Sequence, residues 1–225
     1  SEMCIRDSTI IDKKASFLID NCNYAYEAWD STPWGSVDDS LFFEYILPFS
    51  SLNERRDNWR QDFYERFFPI VKNAKSASEA ATILNNNIFE MVGVIYSTKR
   101  PKADQSPYES IDAGLASCTG LSFMLIDACR SVGIPARFVG TPMWYNNSGN
   151  HSWVEIWDNG WHFTGAFEPT GDRLNEGWFA SLAARAVEGH PEYGIYAATW
   201  KKTGVFFPMD WKPGVEKYYA YDVTS

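Results

Sequence analysis

The chain has 225 residues, with 20 Lys and Arg against 29 Asp and Glu, a net charge of −9 and 45% hydrophobic residues. Its 10 Trp, 12 Tyr and 15 Phe exclude a disordered tail protein, and an acidic chain with no basic block argues against a nucleic-acid partner. This length buries roughly 70% of the extended surface without disulfide staples; the four cysteines, Cys4, Cys22, Cys118 and Cys129, are scattered and form no C-x-x-C pair for zinc or redox work.

Residues 1–8, Ser-Glu-Met-Cys-Ile-Arg-Asp-Ser, show no period and no relation to the rest of the chain. They read as a non-native read-through segment and are set apart from the fold. Helical signals begin at Ala15, where Leu18, Cys22, Ala25 and Trp29 recur at 3–4 spacing. Asp38-Asp39-Ser40 predicts a start for the apolar run Leu41–Leu47, which Pro48 stops. From Asn53 to Phe68, charged residues alternate with Trp59, Phe63, Phe67 and Phe68. This predicts an amphipathic helix with Asp62 and Arg66 as an i,i+4 pair on its wet face.

Ser76-Ala77-Ser78-Glu79 reads as a capping box opening a helix to about Glu90. A loop with two prolines is expected from Ser97 to Glu109, then a helix from Cys118 to Val132 that is apolar nearly all round and hence buried. After Gly133-Ile134-Pro135 the period changes to two. Strands are expected at Ala136–Gly140 and Ser152–Trp157, with Asp158-Asn159-Gly160 as a hairpin turn into Trp161-His162-Phe163. A short helix is expected over Leu174–Val187, and short strands over Tyr193–Trp200 and Gly204–Phe207. Helices followed by an antiparallel meander define an α+β plan. The longest mostly apolar, uncharged run, Ala113–Ile126, is 14 residues. That falls short of the roughly 20 a membrane-spanning helix needs.

Three positions carry candidate chemistry. Cys118 opens the buried helix, where the aligned peptide dipoles favour a thiolate and free N–H groups favour an oxyanion. Position alone leaves it open between a nucleophile and a buried structural thiol. Cys129 lies about 16 Å further along the helix axis, among apolar neighbours, and is assigned to the core. His151 lies 33 residues after Cys118, at a strand entrance behind the polar loop Asn146–Asn150. There it can serve as base and then acid to the thiol, or as a capping or core histidine. His162 and His190 are less well placed. Glu168, in Gly165-Ala166-Phe167-Glu168-Pro169, fits the acceptor that orients an imidazole, against the alternative of an ordinary surface glutamate. Glu155 shares a strand face with His151 but sits roughly 13 Å along it.

Ala116-Ser117-Cys118-Thr119-Gly120, Gly133-Ile134-Pro135-Ala136-Arg137, Gly149-Asn150-His151-Ser152-Trp153-Val154-Glu155 and Gly160-Trp161 together resemble the transglutaminase-like core superfamily. The motifs cover about Ser110 to Thr170. Leu47-Pro48-Phe49, Asn58-Trp59-Arg60 and Trp178-Phe179 are similar to a bacterial group of such proteins. The resemblance implies a papain-like α+β fold, in which a helix-borne cysteine packs on an antiparallel sheet supplying His and Asp. It matches Cys118 to the nucleophile and His151 to the base. The family usually places the Asp four residues after the tryptophan of the Gly-Trp pair; here Gly165 stands there, and Glu168-Pro169 comes three residues on. No acidic cluster resembles the calcium sites of animal transglutaminases, and no cofactor or metal is expected.

The expected activity is acyl transfer or hydrolysis at a carboxamide or peptide bond through a Cys118 thioester. The expected partner is a protein, peptide or glycopeptide substrate. The alternative is a non-catalytic peptide- or glycan-binding module of a larger envelope or secreted protein, which the missing Asp and the aromatic excess would suit. The expected organisation is one domain over 9–211, helical to 132 and sheet-forming from 133, with a linker at 212–225 leading into a longer chain.

Overall fold

A computed structural model of the chain describes residues 15–35 and 37–224. The expected read-through segment 1–8, with Cys4, lies outside the described residues. The first helix, α1 (Ala15–Ser31), buries Phe17, Asn21, Ala25 and Ala28. The expected stripe is therefore rotated: Leu18 and Trp29 are only half-buried, and Cys22 is half-buried as well.

Asp38 caps α2 (Asp39–Leu41) by accepting from the Ser40 and Leu41 N–H groups. The apolar run then continues as a π turn, Phe42–Ile46, closed by the Leu47 N–H on the Phe42 carbonyl at 2.9 Å. Two buried arginines explain how the loosened carbonyls beyond it are satisfied. Arg60 donates to the carbonyls of Ile46, Leu47 and Pro48, and Arg130 to those of Tyr45, Pro48 and Ser50.

Here the structure corrects the helix expected over 53–68. Helix α3 runs from Arg60 to Val71, through Pro69. The preceding stretch folds around Glu54, whose carboxylate accepts from the Ser51 and Leu52 N–H groups. Glu54, Arg56, Asp57 and Arg60 are buried and hydrogen-bonded, so they do not form the expected wet face. The Asp62–Arg66 pair does form, at 2.6 Å.

Ser76 caps α4 (Ala77–Val92) through the Glu79 N–H, while the Glu79 carboxylate takes the Lys75 N–H, so the box closes one residue early. A full capping box occurs instead at Ser106 and Glu109. It opens α5 (Pro107–Ala113) at the end of the expected loop. Strands β1 (Ile95–Tyr96) and β2 (Leu115–Ala116) make a small parallel pair, and β2 leads directly into α6 (Cys118–Ser131). Every residue of α6 from Thr119 on is buried, as its all-round apolar pattern requires.

Helix α6 packs on the main sheet, whose strands are β3 (Ala136–Thr141), β4 (His151–Trp157), β5 (Trp161–Thr164), β6 (Tyr196–Thr199) and β7 (Tyr219–Asp222). The sheet is antiparallel throughout, in the order β5-β4-β3-β6-β7. In the β3–β4 register Thr141 faces His151 and Phe138 faces Val154. The α6 face of the sheet supplies Phe138, Val154 and Ile156 to the main core, while Val139, Trp153 and Phe179 form a second cluster on the opposite face.

Three further expectations change. The segment Leu174–Val187 forms only one helical turn, α7 (Ala180–Ala183), and Gly204–Phe207 supplies a single bridge, Phe206 to Tyr219. The stretch 212–225, expected as a linker, provides β7. This strand pairs with β6 over four residues and buries Ala220 in the core. Its Pro and Gly residues mark the turns that bring it back to the sheet. No helix among the described residues is long and apolar enough to cross a membrane. The architecture is a mixed α+β fold in which a buried helix packs on an antiparallel sheet, the plan that the resemblance implies.

Candidate active site

The site lies where the start of α6 meets the start of β4. Ser117 makes the helix end: its hydroxyl accepts the Gly120 N–H at 3.1 Å and donates to the Ala103 carbonyl at 2.6 Å. The Ser117 carbonyl takes the Leu121 N–H. The N–H groups of Cys118 and Thr119 are then the remaining donors of the first turn. Gly120 allows close packing, since a Cβ there would press on Ala116 and Ser110 at 3.3 Å. Thr119 Oγ1 and Ser152 Oγ lie 3.2 Å apart and tie the helix start to β4.

Cys118 is half-buried, whereas Cys129 is fully buried. Burial opposes the Cys118 thiolate. A hydrogen bond and charge from His151, the Ser152 N–H and the Thr119 hydroxyl outweigh it and lower the thiol pKa. Burial, with the charge of Asp127 and against that of Arg130, pushes the Cys129 thiol far up. The two thiols on one helix are thus electrostatic opposites.

His151 is 4% exposed. Burial disfavours its charged form, yet hydrogen bonds and charges from Cys118 and Glu168 win, and its pKa is pushed up to about 9. The opposite shifts of thiol and imidazole favour a thiolate–imidazolium pair. The Nε2 of His151 lies 3.5 Å from Glu168 Oε2 and has no better hydrogen-bond partner.

Glu168 reaches this place by a turn. Its N–H bonds the Gly165 carbonyl at 3.1 Å, and its side chain folds back over Gly165. A Cβ at Gly165 would overlap the Glu168 carboxylate. The carboxylate therefore occupies the space of a side chain at 165, where the resemblance expects Asp.

Aromatic rings enclose the imidazole. Phe179 lies 4.7 Å and Trp178 4.9 Å from its centroid, with Trp153 and Trp144 at 6.1 and 6.2 Å. Trp178, 58% exposed, also donates its indole N–H to Glu168 Oε2 at 2.9 Å. Sequence patterns do not assign these rings to the histidine. The adjacent pair Trp178-Phe179 is the available signal, but nothing local says that it returns to β4.

The rival candidates go elsewhere. Glu155 pairs with Arg137 at 2.6 Å, and Arg137 lies over Trp161. His162 bonds the Asp158 carbonyl within the hairpin and the side chain of Asn175 beyond it. His190 Nδ1 accepts the Glu192 and Tyr193 N–H groups. Among the described residues, no group of three or more His, Cys, Asp or Glu could hold a metal ion.

Residues 66–166, which include Cys118 and His151, match the transglutaminase-like superfamily. The match is to this segment, a little under half of the chain, and supports cysteine-dependent chemistry at the level of the family. Among solved structures, a chain from Cytophaga hutchinsonii described as a "Putative Cysteine Protease" is similar at 18% identity and a TM-score of 0.46. The likeness covers 64% of the present chain and 47% of that one, so it spans about half of that chain's length. No curated protein matches the chain.

Proposed function

We propose that the protein is a cysteine-dependent amidase or peptidase that works through a Cys118 acyl-enzyme. The observation that supports this reading is the contact of a half-buried Cys118 with a His151 backed by Glu168, with pKa values displaced in opposite directions.

In the proposed reaction the Cys118 thiolate attacks the carbonyl carbon of a carboxamide. The S–C bond forms and the carbonyl π pair moves onto oxygen, which the Cys118 N–H at the helix start can stabilise. Collapse of this intermediate breaks the C–N bond, and the departing nitrogen takes the proton of the His151 imidazolium. Neutral His151 then removes a proton from water as the water oxygen attacks the thioester. Loss of the thiolate releases the acid and restores the ion pair. A primary amine in place of water would make the same acyl-enzyme a transglutaminase. Hydrolysis is favoured because water is always present, and amine transfer needs a site that excludes it.

The test is an electrophilic glutamine- or peptide-mimic probe read by intact mass, on wild type and Cys118→Ala. One adduct on wild type and none on the variant is expected. Labelling unchanged by Cys118→Ala overturns the reading in favour of the non-catalytic module. Adding a primary amine, and weighing the product, separates hydrolysis from transfer.

A further inference from the structure

Asn85 lies on α4, far in sequence from the candidate triad, and is 3% exposed. Its side-chain amide makes three hydrogen bonds to one turn. The amide nitrogen donates to Thr164 Oγ1 at 3.0 Å and to the Gly165 carbonyl at 2.9 Å. Its Oδ1 accepts the Phe167 N–H at 2.9 Å. One turn further along α4, the Phe89 ring meets the Phe167 ring edge-on at 5.3 Å. Residues four apart share a helix face, so one face of α4 grips the 164–167 segment at two points.

That segment needs a grip. Phe167 has φ +64°, a left-handed conformation unusual for an aromatic residue. This backbone reversal turns Glu168 back over Gly165 toward His151. Released, the turn would have no reason to hold a glutamate, with its extra rotatable bond, against one imidazole nitrogen.

We propose that Asn85 is a positioning residue: it holds the Gly165–Glu168 turn, and so aims the Glu168 carboxylate at His151. The inference rests on the Cys118–His151–Glu168 reading above and deepens it. Asn85 touches no reacting atom and acts only through Glu168.

The experiment tracks alkylation of Cys118 by iodoacetate against pH in the full chain, read at the Cys118 peptide. The anionic reagent is drawn by the His151 imidazolium, so the rate falls on the alkaline side as His151 loses its proton. In wild type this limb is expected near pH 9. Glu168→Gln is expected to move it down by roughly 1 pH unit, because a neighbouring opposite charge is lost. Asn85→Ala is expected to move it in the same direction. The double variant should move no further than Glu168→Gln alone. Asn85→Leu, closer in volume and a good helix former, serves if the alanine variant does not fold. Ile88→Ala, a core truncation on the same helix, should leave the limb in place.

A limb unmoved by the Asn85 variants but moved by Glu168→Gln overturns the inference alone. So does an additive double variant, or an equal shift in Ile88→Ala. A limb unmoved by Glu168→Gln overturns the triad reading itself.

Discussion

At the scale of single residues, the candidate site turns on two atoms that are absent. Gly165 lacks the Cβ that would fill the Glu168 carboxylate's place, and Gly120 lacks one that would crowd the start of α6. Gly165 is not left-handed, so Gly165→Ala costs little in the backbone; its cost is the displaced carboxylate. We expect Gly165→Ala to lower amidase turnover on the order of 10²-fold, the scale of an impaired acid–base group, with a melting temperature close to wild type. Steady-state kinetics beside thermal unfolding checks this. Activity that survives intact would mean that Glu168 does not work from where it lies.

The pH dependence comes from the two shifts. The thiolate exists above the lowered Cys118 pKa, and the imidazolium exists below about 9. The productive pair therefore spans the interval between them. Turnover should rise through the first limit, hold through neutral pH and fall as pH passes about 9. An alkaline limb near the ordinary histidine value of about 6.5 would contradict the enclosure of His151 by Glu168 and Cys118.

At the scale of elements, α6 and the π turn depend on partners distant in sequence. Ser117 holds the helix start, and removing such a cap costs about 1 kcal/mol. Arg60 is fully buried with its charge spread over backbone carbonyls and Asn21. Burial, and then the charge of Arg130, lowers its pKa. Arg60→Ala strands several buried carbonyls, each costing about 1–3 kcal/mol. We expect at least about 3 kcal/mol of lost stability in urea unfolding, far beyond an exposed arginine such as Arg173. An effect under about 1 kcal/mol would show that water replaces the guanidinium.

Sequence periods predict elements where the signal is local and fail where it is not. The run Cys118–Val132 announces a buried helix because every face is apolar. Glu54, Asp57 and Arg60 look like a wet face because charge in a sequence carries no sign of its partners. The box at Ser106 and Glu109 is legible in principle: Ser106-Pro107-Tyr108-Glu109 has both the cap spacing and an N1 proline. The helix expected at Leu174–Val187 shrinks to one turn because its residues pack around the His151 rings and β6 instead of continuing their own ladder.

At the scale of the whole molecule, the C-terminal strand closes one edge of the sheet. Strand β7 covers β6, and Phe207, Met209 and Ala220 enter the main core. Removing residues 212–225 would expose the β6 edge and part of that core. We expect the truncated chain to lose thermal stability strongly or to aggregate on size exclusion. A truncated chain that stays monomeric and melts with the full chain would restore the linker reading.

The amino-acid sequence by itself determined the α+β plan, the buried helix headed by Cys118 and the strand entered by His151, and it pointed to the class of chemistry proposed above. Each rests on a short-range signal: a helical or two-residue period, a cap, or an ordered motif. Only the tertiary structure decided that Glu168 fills the space above Gly165, that Trp178 and Phe179 wall the imidazole, that Asn85 bonds the acid's turn, and that β7 belongs to the sheet. The physical reason is distance along the chain. Burial and pairing decide a polar group's charge and direction, and both are set by neighbours that only folding brings together.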